Sequence, residues 1–167
     1  NQVFLPGIAL DPAIRACERP ADALADADAV LLAVPAQHLR AVLQSAAADW
    51  RAGVPAVICA KGIEQGSGAL LSEVVAATVP AAPIAVLSGP SFAIEVARGL
   101  PAAVTLACAA AGTRAELPAA LASAHFRIYS CDDVIGAQLG GAVKNVLAIA
   151  CGIVDGRGLG DNARAAL

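Results

Sequence analysis

Three uninterrupted apolar runs punctuate the first half of the chain: Ala29-Val30-Leu31-Leu32-Ala33-Val34, Ala56-Val57-Ile58-Cys59-Ala60 and Ile84-Ala85-Val86-Leu87. Short runs without polar alternation predict strands buried on both faces, as in a parallel sheet. Phe4-Leu5-Pro6-Gly7 reads as a turn, and a short helix over 20–26 leads into the first strand. Helical spacing predicts further helices over about 36 to 49 and 67 to 78, between the strands. Two shorter strands follow, at Ala103-Val104-Thr105-Leu106 and Phe126-Arg127-Ile128-Tyr129, with a helix over about 112 to 123 between them. This alternation specifies parallel crossovers, hence an α/β, Rossmann-like doubly wound parallel sheet with helices on both faces.

Sites in such sheets lie at the carboxyl ends of the strands. Pro35 ends the first strand because it cannot donate to a ladder; Lys61-Gly62-Ile63-Glu64 follows the second and Ser88-Gly89-Pro90-Ser91 the third. Three loops thus converge on one edge. Lys61, directly off a buried strand, is poorly placed for an idle charge and reads as a ligand group. Glycine at 89 lets a backbone approach a ligand, and Ser91 is expected to cap a helix over 92–98 whose free N–H groups suit a phosphate.

The last long pattern is a helix over about 133 to 154, started by Asp132-Asp133 and ended before Gly156 and Gly158. Lys144 lies in its middle, on a face of small residues that includes Gly140, Gly141, Ala137 and Ala148. Two adjacent glycines cost a helix about 1 kcal/mol each relative to alanine, so something is expected to approach the backbone there. An ammonium buried among small apolar groups would lose solvation and become a proton donor and acceptor near neutral pH, with Asn145 beside it to orient an oxygen. The alternative is that the glycines admit a neighbouring helix and Lys144 snorkels to water.

Composition narrows the classes. With 58% hydrophobic residues, the 167-residue chain has ample core material. A net charge of −3 with scattered basic residues argues against nucleic-acid binding. Cys17, Cys59, Cys108, Cys131 and Cys151 form no close ligand pair, so reduced, buried thiols and no metal site are expected. No apolar run of about 18 residues escapes polar interruption and no signal sequence opens the chain, so no membrane span and a cytoplasmic setting are expected. His38 and His125 lack nucleophile and carboxylate partners, which leaves a hydrolytic triad unsupported. The chain starts at Asn1 in mid-pattern and stops at Leu167 in a fresh helical start, as an internal segment of a longer protein would.

Read together, Leu5-Pro6-Gly7-Ile8, Ala33-Val34-Pro35, Lys61-Gly62-Ile63-Glu64, Leu87 to Val96, Gly140-Gly141-Ala142-Val143-Lys144-Asn145 and Gly158 to Leu167 resemble the bacterial NAD(P)-dependent glycerol-3-phosphate dehydrogenases. The resemblance covers essentially the whole chain. It implies a dinucleotide-binding domain over 1–132 and the start of a helical substrate domain over 133–167. It implies hydride transfer between sn-glycerol 3-phosphate and dihydroxyacetone phosphate with NAD or NADP, supply of glycerol phosphate for phospholipid synthesis, and a homodimer. Lys144 would be the catalytic proton acceptor. Lys61, Gly89, Ser91, Lys144 and Asn145 would bind substrate, and Lys61, Ala93 and Pro35 would contact the cofactor.

Two departures stand out. Gln138 occupies a position where the family usually has glutamate, and the GxGxxG strand-turn-helix that holds a dinucleotide pyrophosphate is not among these residues. Two other classes share the architecture: a related hydroxyacid dehydrogenase or ketopantoate-reductase-like enzyme, against which the Ser88-to-Ala93 block argues, and a non-catalytic binding or dimerisation module, against which Lys61, Lys144 and Asn145 argue.

Overall fold

The apolar runs become neighbouring strands of one sheet. A computed structural model of the chain describes residues 3–167. Its strands are β1 (Val30–Leu32), β2 (Ala56–Ile58), β3 (Ile84–Ser88), β4 (Ala102–Cys108) and β5 (Phe126–Cys131), side by side in that order. The first three are parallel, with Val30, Ala56 and Ile84 in register. Successive side chains alternate between faces. Ala56, Ile58, Val86 and Ala107 point to one side, under α2 (Leu39–Ala46) and α3 (Leu71–Thr78), which bury Leu39, Leu43, Leu71, Val74 and Val75 there. Val57, Ala85, Leu106 and Cys108 point to the other, where Leu117 of α5 (Ala111–Leu121) covers them. Each wholly buried Leu or Ile contributes about 1.5–3 kcal/mol by leaving water.

The sheet is Rossmann-like, with helices on both faces, but not wholly parallel. β4 runs antiparallel to β3 and pairs Leu106 with Leu87, whereas β5 is again parallel to β4. The reason is length. Residues 89–101 contain only one five-residue helix, α4 (Ala93–Ala97), which advances about 7 Å and cannot carry the chain back along the sheet. The chain therefore returns along the neighbouring position. α3 begins at Leu71, later than the pattern predicts, because residues 64–70 form a tight turn: Glu64 N–H bonds to Ala69 O and Gly68 N–H to Glu64 O. Gly66 and Gly68 adopt φ of +85° and +70° there, which side-chain-bearing residues rarely do. A single-turn helix, α1 (Pro20–Leu24), precedes β1.

The long helix, α6 (Val134–Gly156), is capped as expected: the Asp133 carboxylate accepts the Gly136 N–H at 2.7 Å. Its first turns lie on the α3 side of the sheet, where Val134 and Ala137 join the core. One buried polar side chain fixes it. Gln138 accepts the Ser72 N–H at 2.9 Å, donates to the Ser72 hydroxyl at 2.9 Å and donates to Val134 O at 3.1 Å. Beyond Gly141 the helix leaves the sheet and exposes Val143, Val146, Ile149 and Ile153. α7 (Asp161–Ala165) folds back beside its end, with Arg164 and Asp155 3.4 Å apart. Although the polar interruptions argue against a membrane span, α6 is, among the described residues, the one helix long and apolar enough to cross a bilayer by length and composition, with a mean hydropathy of 1.5. The cysteines are all unpaired, yet only Cys108 is fully buried and Cys17 is exposed, so the expectation of uniformly buried thiols fails.

Because Gln138 satisfies a free N–H at the start of α3, Gln138→Ala should cost about 1–3 kcal/mol in urea denaturation. Gln138→Glu keeps acceptors for the Ser72 N–H and hydroxyl but faces the Val134 carbonyl with an oxygen in place of a donor, so it should also destabilise.

Candidate functional site

The loops that follow β1, β2 and β3 meet at the carboxyl edge of the sheet. Lys61 leaves β2 and its Nζ donates to the Gly89 carbonyl at 2.9 Å. Gly62 follows with φ of +147°, and a Cβ on it would stand 3.0 Å from the Ala36 side chain, next to Pro35. Gly89 itself has φ of +154°, and a Cβ there would lie 2.9 Å from Val104 Cα and 3.1 Å from Ala103 O. Only glycine lets the end of β3 lie this close to β4. From the other side comes Gly141 of α6, where a Cβ would be 3.1 Å from Ser88 Oγ and 3.4 Å from Lys61 Cγ. Lys61, Gly89 and Gly141 therefore converge, on an open cleft of about 340 Å³ lined by Ser88, Gly89, Thr105, Cys131, Gly140 and Gly141 among others.

The two α6 glycines differ. Gly141 is a close-approach position, as its energetic cost in a helix predicts, while nothing lies within 4 Å of a Cβ on Gly140. Lys144 and Asn145 stand one turn further along α6 and are exposed. The expected burial of Lys144 among small groups is thus corrected: its small-residue face is open beyond Gly141 rather than packed. Pro35, Ser91 and Ala93 are also exposed. Ser91 does not cap a helix, since the cap position of α4 is Phe92, with no side-chain bond. The five-residue α4 falls short of the expected 92–98 span, which weakens a dipole argument for phosphate at this point. Gln138, at the position of the usual glutamate, faces α3 and not the cleft.

Behind Lys61 lies a layer of contacts that the sequence pattern does not announce. The Gln37 side chain donates to Ile63 O at 2.9 Å and accepts the Gln65 N–H at 2.8 Å. Arg40, on the first turn of α2, makes two 2.8 Å bonds to the Glu64 carboxylate, and the Ser67 hydroxyl donates to the same carboxylate at 2.5 Å. The Arg40 bonds, and then that of Ser67, hold the Glu64 carboxyl down at about 2, and Glu64 in turn raises the Arg40 guanidinium. Burial pushes the Cys59 thiol up, partly offset by the charge of Lys61. These partners are a whole strand-helix unit apart in sequence. No local spacing could reveal them.

A second cavity, of about 370 Å³, opens at the opposite end of the strands beside Asp28, Ala29, Pro55, Thr113 and Glu116. Its charged groups are two carboxylates, which disfavour an anion. Among the described residues no cluster of three or more His, Cys, Asp or Glu side chains could hold a metal ion.

Residues 1–113 match a family model described as the NAD-dependent glycerol-3-phosphate dehydrogenase N-terminus, and residues 133–167 match its C-terminus counterpart. The chain is similar over its full length, at 69% identity, to a protein of Paramagnetospirillum magneticum named glycerol-3-phosphate dehydrogenase (NAD(P)+), of which it covers 60%. Against the protein of the same name from Rhodospirillum rubrum the identity is 60%, again over the whole chain and 48% of the relative. The chain thus spans about half the length of the curated relatives it matches. A crystal structure of glycerol-3-phosphate dehydrogenase from Coxiella burnetii superposes with a TM-score of 0.85 at 40% identity, over 97% of this chain and 50% of that one. A Plasmodium falciparum glycerol-3-phosphate dehydrogenase does so at 0.91 and 27%, over 99% and 47%.

The Glu64 carboxylate, held below its ordinary value near 4.5, stabilises the fold in full above that value and loses its contribution as pH falls towards about 2. A carboxyl-carbon NMR titration should place its midpoint near 2, and Arg40→Met should return it towards the ordinary range; a midpoint near 4.5 in the unsubstituted chain would contradict the pairing. The α6 glycines provide a second check. Gly140→Ala should gain up to about 1 kcal/mol of helix stability in urea denaturation, whereas Gly141→Ala must displace Ser88 or the Lys61 stem and should forfeit that gain. Equal stabilisation by both would show that no close approach occurs at Gly141.

Proposed function

Because the chain belongs to the NAD-dependent glycerol-3-phosphate dehydrogenase family, we propose that the protein carrying it interconverts sn-glycerol 3-phosphate and dihydroxyacetone phosphate with NAD or NADP. The observation that carries this reading is the meeting of the Lys61 ammonium, the Gly89 backbone and Gly141 at the carboxyl edge of the sheet, one turn from Lys144 and Asn145. Residues 1–132 form the dinucleotide-binding part and 133–167 the beginning of the substrate part. A homodimer in the cytoplasm, supplying glycerol phosphate to phospholipid synthesis, completes the proposal.

The residues fit the reacting end of such a cofactor. The cleft beside Ser88, Gly89 and Gly141 is open and lined mostly by small groups; its one charged lining residue is Asp133, whose carboxylate is engaged in capping α6, and the Lys61 ammonium reaches the Gly89 carbonyl at its rim. Pro35, after β1, and the exposed Ala93, first residue of α4, are assigned to the cofactor on the family resemblance. A nicotinamide held there would supply hydride exchange with the secondary carbon of the substrate. Lys144 exchanges the proton: it takes the hydroxyl proton in oxidation and returns it to the forming alkoxide in reduction. Asn145 orients that oxygen. Lys61, with Gly89 and Ser91, holds the negatively charged substrate by charge and backbone contact.

Lys144→Met in the full-length protein should leave cofactor binding intact and lower kcat by roughly 10²- to 10⁴-fold. Lys144→Arg should not restore turnover, since a guanidinium keeps its proton across the working range. In the unsubstituted enzyme, kcat/KM for oxidation should rise with pH through one ionisation, because the proton acceptor must first be deprotonated. Near-normal turnover with an unchanged pH profile in Lys144→Met would place the proton transfer elsewhere.

A further inference from the structure

The Lys61 ammonium donates to the Gly89 carbonyl at the rim of the cleft, and the contacts that fix its loop come largely from the segment after β1. Lys61 is joined to Glu64 by Gly62, pressed against Ala36, and by Ile63, whose carbonyl accepts a bond from Gln37. Gln37 holds both sides of the loop, taking the Gln65 N–H as well. Arg40 adds a two-bond fork to Glu64 that a single ammonium could not reproduce. Ser67 bonds the same carboxylate, the Glu64 N–H closes on Ala69 O, and Ile63 bridges to Leu70. Arg40 and Gln37 sit on one turn after Pro35, so the loop after β1 and the loop after β2 are locked together. A strand end with a mobile lysine would spread the charge over several ångströms; this loop cannot.

We propose that Gln37 and Arg40 are positioning residues that act on the substrate through Lys61, by clamping the Ile63-Glu64-Gln65 backbone from the side away from the cleft. The inference rests on the reading of Lys61 as a substrate-binding group. Neither residue needs to touch substrate. A stability role alone would lower the melting temperature and leave the kinetics of the folded enzyme unchanged; a positioning role changes the substrate KM as well.

The test is a double-substitution cycle in the full-length protein, with glycerol 3-phosphate and dinucleotide as substrates. Lys61→Ala is expected to lower kcat/KM by about tenfold or more. Arg40→Met and Gln37→Ala should each lower it about 5- to 20-fold, chiefly through the KM for glycerol phosphate. In the Lys61→Ala background the same two changes should cost less than about twofold, because the group they position is gone. Should Arg40→Met fold poorly, Arg40→Lys keeps the charge and loses the fork, and should show an intermediate effect with the same dependence on Lys61. Losses that multiply fully in the Lys61→Ala background, or unsubstituted kinetics in the Arg40 and Gln37 variants, would overturn the positioning role while leaving Lys61 in place. Unsubstituted kinetics in Lys61→Ala itself would instead remove the reading of Lys61, and this inference with it.

Discussion

The site depends on a steric limit at the end of β3. At Gly89 the backbone runs so close to β4 that one methyl group would come within 2.9 Å of Val104 Cα. That approach keeps the chain beside β4 just past the end of β3 and leaves the Gly89 carbonyl where the Lys61 ammonium can reach it. The same crowding recurs at Gly141, where α6 comes down onto Ser88 and the Lys61 stem. Two missing side chains therefore bring three elements to one point. Hydrophobic burial supplies the bulk of the stability, through residues such as Leu39, Leu43, Ile58 and Leu71, but it would permit many arrangements of the loops.

The cleft has two sides with different chemistry. Towards the ligand stand small residues and the Lys61 ammonium at the Gly89 edge, with the Asp133 carboxylate on the α6 side. Away from it stand Gln37, Arg40 and Glu64, whose planar groups meet in fixed, paired geometry. An ion pair between exposed side chains contributes little by itself. Here the bidentate fork and the two-sided amide contact work on a backbone segment that is already turned back on itself, so modest forces suffice to hold it.

Much of this was legible in the residues. Continuous apolar runs located β1, β2 and β3; Gly89 marked the end of β3, whereas β1 and β2 stop at Leu32 and Ile58, two residues short of the ends that Pro35 and Lys61 suggested. The costly glycines of α6 pointed to close approach, and Gly141 makes it. What escaped was set by distance. The direction of β4 followed from the brevity of α4, which composition does not reveal, and the Arg40–Glu64 fork joins residues on different helices and loops. Lys144 was expected to be buried because its helical neighbours are small; the smallness is real, but smallness alone does not supply a cover. Gln138 and Asn145, seven residues apart, share one face of α6, yet the helix crosses from contact to exposure between them, so one face has two environments.

That crossing gives α6 the character of a ruler. Its zero mark is Gln138, locked to Ser72, and Lys144 is read off about 9 Å further along the axis. Inserting or deleting a single residue between them would swing the lysine by about 100° around the helix and shift it by about 1.5 Å, while leaving the Gln138–Ser72 lock in place. A change of length here displaces everything beyond it at once, which no single substitution does. Among homologous chains, the stretch from 138 to 144 should keep its count.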